Sequence, residues 1–223
     1  MLRAVVFDMD GVIVDSEPLH VEAEKQTFAL FGIDVVEDEL RKYMGRTSRI
    51  LLEDFIERYQ LDTTLEDLYS VHKMNLLRLY NDDVEVIPGV IRLIEELQSA
   101  DVDLALASSS DHDLITSVLE KFQLAPFFKV VVSGEEMDRA KPHPDIFLET
   151  SRRLDIPPEM SIVIEDSNAG VRAAKAAGMV CIGFRSPHSH GQDLNEADLI
   201  VDDLKEIGYE RLVGLMDGVD PAG

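Results

Sequence analysis

The chain has 223 residues, with 45% hydrophobic and 29% charged, which suits a globular protein with one good core or a core carrying a smaller insert. Lys and Arg number 21 against 44 Asp and Glu, a formal net charge of −23, so there is no basic footprint for nucleic acid or anionic lipid. No apolar run nears the roughly 20 residues of a membrane span, the start does not read as a signal peptide, and the one cysteine, Cys181, excludes an internal disulfide; a cytoplasmic protein is expected.

In chain order, the first predicted strand is the β-branched run Arg3–Phe7, which stops at Asp8, Asp10 and Gly11. From about Ser16 to about Asp83 only helical periodicity is found, for example Ala23, Thr27, Leu30 and Phe31, then Leu51, Leu52, Phe55, Ile56 and Tyr59. Beyond it, apolar runs recur. Asp103–Ala107 ends at Ser108, Ser109 and Ser110; Lys129–Val132 ends at Ser133 and Gly134; Ser161–Ile164 ends at Glu165, Asp166 and Ser167. Val180–Phe184 and Leu199–Val201 complete the strands. Helical stripes lie between them: one after Pro88 and Gly89, one that Ser110 is expected to cap, and a small-residue helix Ala169–Ala177 closed by Gly178.

Strands alternating with helices mean βαβ units and a parallel sheet. The expected architecture is α/β: a Rossmann-like parallel sheet core from residues 1–15 and 84–223, with residues 16–83 inserted as an all-helical cap and hinges near Val14–Ser16 and Asn81–Val86.

Ligands of an open parallel sheet bind beyond the carboxyl ends of its strands, and four strand ends here carry polar clusters. Asp8 and Asp10, two apart, can face one site. Ser108 opens a loop onto a helix, Lys141 adds a cation before Pro142, and Glu165 and Asp166 add carboxylates. Carboxylates converging on a point repel unless a cation joins them, and oxygen-only ligands favour a hard ion such as Mg²⁺.

At these residues the chain resembles the haloacid dehalogenase superfamily, in particular its β-phosphoglucomutase-like phosphatase branch. The motifs stand as Asp8-Met9-Asp10-Gly11-Val12, Ala107-Ser108, Lys141-Pro142-His143-Pro144 and Glu165-Asp166-Ser167-Asn168-Ala169-Gly170, in family order over nearly the whole chain. The resemblance implies Asp8 as nucleophile forming an aspartyl-phosphate and Asp10 as general acid/base with its carbonyl on Mg²⁺. It further implies Ser108, with Ser109, and Lys141 on the transferring phosphoryl group, and Asp166, assisted by Glu165, on the metal with Asp8. Asp10 argues against dehalogenation, because the dehalogenases lack that second aspartate.

Substrate choice is expected from the cap. Arg41, Lys42, Arg46 and Arg49 surround Gly45 without an intervening acid. Arg41 and Lys42 match the end of a short acidic-headed helix, whereas Arg46 and Arg49 are candidates for the far end of a substrate. His20 occupies the position of the mutase's cap histidine and reads either as a hinge hydrogen-bonding residue or as a catalyst. Met44 before Gly45, where the mutase has lysine, and Arg49 four residues after it favour a phosphatase. A small phosphorylated metabolite, a sugar or polyol phosphate, is the expected partner of a monomer or weak dimer. The alternatives are a β-phosphoglucomutase-type isomerase and a binding module, the latter disfavoured because Asp8, Asp10, Lys141 and Asp166 are all present.

Overall fold

The computed structural model describes residues 1–43, 47–188 and 191–218. The chain opens with β1 (Ala4–Phe7), a short β2 (Val14–Asp15), and four helices: α1 (Glu17–Ala29), α2 (Glu37–Leu40), α3 (Ser48–Tyr59) and α4 (Leu65–Asp83). It returns through β3 (Glu85–Val86), then alternates α5 (Val90–Ser99), β4 (Asp103–Ser108), α6 (His112–Lys121), β5 (Val130–Ser133), α7 (Asp145–Leu154), β6 (Ser161–Glu165), α8 (Asn168–Ala176) and β7 (Val180–Phe184). It closes with β8 (Leu199–Val201) and α9 (Tyr209–Met216).

Six strands form one parallel sheet in the order β5-β4-β1-β6-β7-β8. Its strands are buried on both faces, which explains why they read as continuous apolar runs rather than alternating ones. Alternate residues of β1 divide between the faces. Val5 and Phe7 pack with α5, α6 and Leu212 of α9, whereas Ala4 and Val6 pack with Ile146 and Phe147 of α7 and Val171 of α8. The chain leaves β1 toward β4 on one side and resumes at β6 on the other, so β1 and β6 flank the point where strand order reverses. That is where a crevice opens at the carboxyl ends.

The helical segment has its own apolar cluster of Val21, Phe28, Val35, Leu40, Leu51, Leu52, Phe55 and Leu68. Phe28 and Phe55 stack with ring centroids 4.3 Å apart. The second half of α4 belongs instead to the main core through Leu76, Leu79 and Tyr80. The two chain crossings into and out of the segment are joined, since β2 and β3 pair antiparallel, Val14 with Val86 and Asp15 with Glu85. Sequence periodicity gives no sign of a ribbon this short.

Two local expectations change. Asp111, not Ser110, caps α6, its carboxylate accepting from the backbone N–H of Asp113 and Leu114. That leaves Ser110 available for another task. Arg41 and Lys42 lie in a 3-10 turn beyond α2 rather than in its last turn. Cys181 is buried in the core as expected. No helix among the described residues is long and apolar enough to cross a membrane.

Candidate active site

Asp8 follows β1 directly, its backbone N–H still donating to the carbonyl of Ile164 on β6 at 3.0 Å. The turn behind it depends on Gly11, whose φ is +78° and where an added Cβ would stand 2.0 Å from Oδ2 of Asp166. A side chain at position 11 would therefore fill the space the two carboxylates face. Gly170 does the same for the opposite wall, because a Cβ there would lie 1.7 Å from Oε1 of Glu165.

Lys141 reaches in from the loop before α7 and is 4% exposed. Its ammonium donates to Oδ1 of Asp8 at 2.6 Å, Oε1 of Glu165 at 2.8 Å and the carbonyl of Ala107 at 3.3 Å. Burial disfavours that charge, but Asp8 and Glu165 overcome it and hold the lysine well above its ordinary value. The other oxygen of Glu165 accepts from the backbone N–H and hydroxyl of Ser167. Burial drives Asp8 up to about 8, with Lys141 opposing and Glu165 and Asp10 adding to the rise.

Carboxylate oxygens of Asp8, Glu165 and Asp166 come within 4.8 Å of one another. No hydrogen bond or ion pair meets the Asp166 side chain among the described residues, and burial, Glu165 and Asp8 push its carboxyl well above the usual range. Three carboxylates against one ammonium leave two negative charges without a counter-charge when all are ionised. An all-oxygen cluster with that deficit fits a hard divalent cation such as Mg²⁺. Asp166 and Asp8 are the groups left to hold it, since both oxygens of Glu165 already accept hydrogen bonds.

Asp10 has a different environment. Its Oδ1 accepts from Ser16 at 2.7 Å and from Tyr80, and lies 3.4 Å from Nε2 of His20; its Oδ2 accepts from Ser110 at 2.7 Å and Ser108 at 3.3 Å. Burial would raise this carboxyl, but the hydrogen bond and charge of His20, helped by Ser16 and Tyr80, hold it well below the usual range. Burial alone would lower His20; Asp10, with Glu17 and Glu24, lifts it instead to about 9. Tyr80 also sits 2.8 Å from His20 Nε2. Two carboxylates two residues apart thus face different conditions, Asp8 buried against one ammonium and further acids, Asp10 ringed by donors.

A cavity of about 770 Å³ joins these groups to the helical segment, and Ser109 and Arg49 line it. Arg49 is engaged by Glu66 in a two-pronged pair at 2.7 and 3.1 Å, and its guanidinium lies 4.1 Å over the Tyr69 ring. Arg46 lies outside the described residues. His188 contacts Asp15 at 2.8 Å. Sequence reasoning missed Ser16, Tyr80 and Ser110 around Asp10. Tyr80 carried no usable signal, being one more large residue on the buried stripe of α4.

A family model described as haloacid dehalogenase-like hydrolase matches residues 5–184. A phosphorylated carbohydrates phosphatase of Thermotoga maritima is 35% identical over 200 residues, covering 89% of this chain and 93% of that protein. The crystal structure of CbbY from Rhodobacter sphaeroides in complex with phosphate has a TM-score of 0.86 at 29% identity, covering 93% of this chain and 97% of that one. A β-phosphoglucomutase from Clostridium difficile has the same TM-score at 24% identity, covering 98% of both chains, a likeness of fold.

Proposed function

The chain belongs to the haloacid dehalogenase-like hydrolases and is an enzyme of their phosphatase kind; from that premise we propose that it is a Mg²⁺-dependent phosphohydrolase acting on a small sugar or polyol phosphate through an aspartyl-phosphate. The observation that carries this reading is the contrast between Asp8, gripped through one oxygen by Lys141, and Asp10, ringed by hydroxyls and His20.

In this reading one Asp8 oxygen stays on Lys141 while the other attacks phosphorus in line. Lys141, Ser108 and Ser109 hold the transferring oxygens, and the phosphorus–oxygen bond to the leaving group breaks as Asp10 passes that oxygen a proton drawn from the charged His20 beside it. Water then attacks the phosphorus of the aspartyl-phosphate, Asp10 takes its proton, and Asp8 and phosphate are released. Before either step Asp10 exchanges a hydrogen bond from Ser110, Ser16 or Tyr80 for one to the reacting oxygen. Mg²⁺, held by Asp8, Asp166 and the Asp10 carbonyl with Glu165 alongside, would supply positive charge against the phosphoryl oxygens. Residues 16–83 act as a cap on the core formed by 1–15 and 84–223, with His20 a positioning residue that keeps Asp10 in place. The relatives support the substrate class: the Thermotoga maritima protein is named for phosphorylated carbohydrates.

The test is phosphate release with Mg²⁺ from a panel of sugar and polyol phosphates, including β-glucose 1-phosphate, with glucose 6-phosphate formation followed in parallel. Phosphate release that falls by about 10³-fold or more in Asp8→Asn is the expected result. Glucose 6-phosphate appearing without net phosphate would make the enzyme a mutase instead.

A further inference from the structure

Two buried groups in the same cavity take no part in the chemistry above. His72 on α4 is 1% exposed and Glu24 on α1 is 8% exposed, and both line the cavity that holds Asp8 and Lys141. Neither ring nitrogen of His72 has a hydrogen-bond partner. No hydrogen bond meets the Glu24 carboxyl among the described residues. Burial, reinforced by the nearby charge of His20, drives the imidazole down to about 3, so it is neutral, with one nitrogen a donor and the other an acceptor. Burial drives Glu24 up to about 8, with His20 opposing and Glu17 adding to the rise. Buried polar groups in folded proteins are almost always paired, and a pair left open toward a cavity is an opening for a ligand's own polar groups.

Their places on the helices set the reach. Asp10 is met by His20 from α1 and by Tyr80 from α4. Glu24 is one turn along α1 from His20, about 6 Å, and His72 is two turns along α4 from Tyr80, about 12 Å. That spacing carries the cavity away from the phosphoryl end over the length of a small carbon chain.

Charge sets the kind of group. Every described cation lining the cavity is already paired: Lys141 with Asp8 and Glu165, His20 with Asp10, Arg49 with Glu66, and Lys73 with Asp111 and Asp113. A second anionic group on the substrate would meet this set of acids with no described cation to spare. A hydroxyl can donate to Glu24 and exchange hydrogen bonds with neutral His72 in either direction.

We propose that Glu24 and His72 form the subsite for the uncharged, hydroxyl-bearing tail of the substrate, making it a monophosphorylated sugar or polyol rather than a bisphosphate; this rests on the phosphatase reading above. A site built to pair hydroxyls rejects a substrate that lacks them, because its own buried groups are then left open.

The experiment measures kcat and KM with Mg²⁺ for acetyl phosphate, which has no hydroxylated tail, and for sorbitol 6-phosphate, fructose 6-phosphate and fructose 1,6-bisphosphate. The full chain is compared with Glu24→Met and His72→Leu. Both variants are expected to lose tenfold or more in kcat/KM on the two monophosphates, chiefly through KM, while acetyl phosphate stays within about twofold. Their melting temperatures should hold or rise, since each removes a buried polar group with no hydrogen-bond partner among the described residues, and His72→Gln should recover part of the lost KM. Equal losses on acetyl phosphate, a preference for the bisphosphate, or unchanged KM on the monophosphates would overturn the subsite while leaving the phosphatase standing. A native chain that hydrolyses none of the four sinks both readings together.

Discussion

The strand-end cluster and the helical segment meet in one cavity but treat polar groups oppositely. At the strand ends Lys141 satisfies two acids at once, and Asp10 accepts from hydroxyls drawn from three separate stretches of chain. In the helical segment His72 and Glu24 are buried too, yet neither ring nitrogen of His72 has a hydrogen-bond partner and none meets the Glu24 carboxyl among the described residues. The first arrangement is organised before any ligand arrives, as electrostatic catalysis requires. The second gains its partners only when something binds, as discrimination between substrates requires.

The sharpest way to break the contrast is to open the strand-end cluster. Lys141→Met should cost about 3–5 kcal/mol in urea unfolding at neutral pH, because it leaves Asp8 and Glu165 buried without their cation. Phosphate release should vanish with it. A loss below about 1 kcal/mol would mean the cluster is not organised by this lysine.

A smaller effect is expected from Gly11→Ala. A positive φ and a Cβ directed at Asp166 should cost about 1–2 kcal/mol and raise the Mg²⁺ concentration for half-maximal activity about tenfold or more. An unchanged Mg²⁺ midpoint would remove Asp166 from the metal site.

The smallest effect separates the helical segment by pH. Glu24 has a folded value near 8, above its ordinary 4.5, so its contribution is fully present below pH 4.5 and is lost as pH rises through 8. Glu24→Met has no such loss, and its stability relative to the native chain should improve by on the order of 1–2 kcal/mol between pH 5 and 9. His72 runs the other way. Its folded value near 3 lies below the ordinary 6.5, so its contribution is present above pH 6.5 and is lost as pH falls toward 3. His72→Leu should accordingly gain relative stability on the acid side. Parallel pH curves for native and variant chains would show that these groups are paired after all.

Much of this was legible in the chain itself, for a physical reason. A parallel strand covered on both faces must be apolar throughout, so Ala4–Phe7, Val180–Phe184 and Leu199–Val201 stand out to within a residue. The catalytic candidates stood at their ends, and Asp8, Lys141, Glu165 and Asp166 converge as their order implied. What could not be read was whatever depends on partners far along the chain. Tyr80 reaches Asp10 across 70 positions, and no local pattern separates it from an ordinary core tyrosine. Ser110 was the expected helix cap, but Asp111 next to it took the task by accepting two backbone N–H groups. Arg49 looked like a cation waiting for substrate, but Glu66, 17 residues on, already holds it.

The two-residue ribbon of β2 and β3 brings together both passages between the sheet and the helical segment. Two separate tethers would let the segment slide and twist as well as tilt. Fastened side by side, they would confine any movement of the segment to a swing about one line, like a door with both hinges on the same post. The post begins close to the chemistry, since Asp10 bridges to Val14. An outward swing would carry His20 away from Asp10 while Tyr80, anchored in the main core, stays behind with Ser108 and Ser110, so the movement that admits a substrate would also loosen the hold on the carboxylate that must handle its proton.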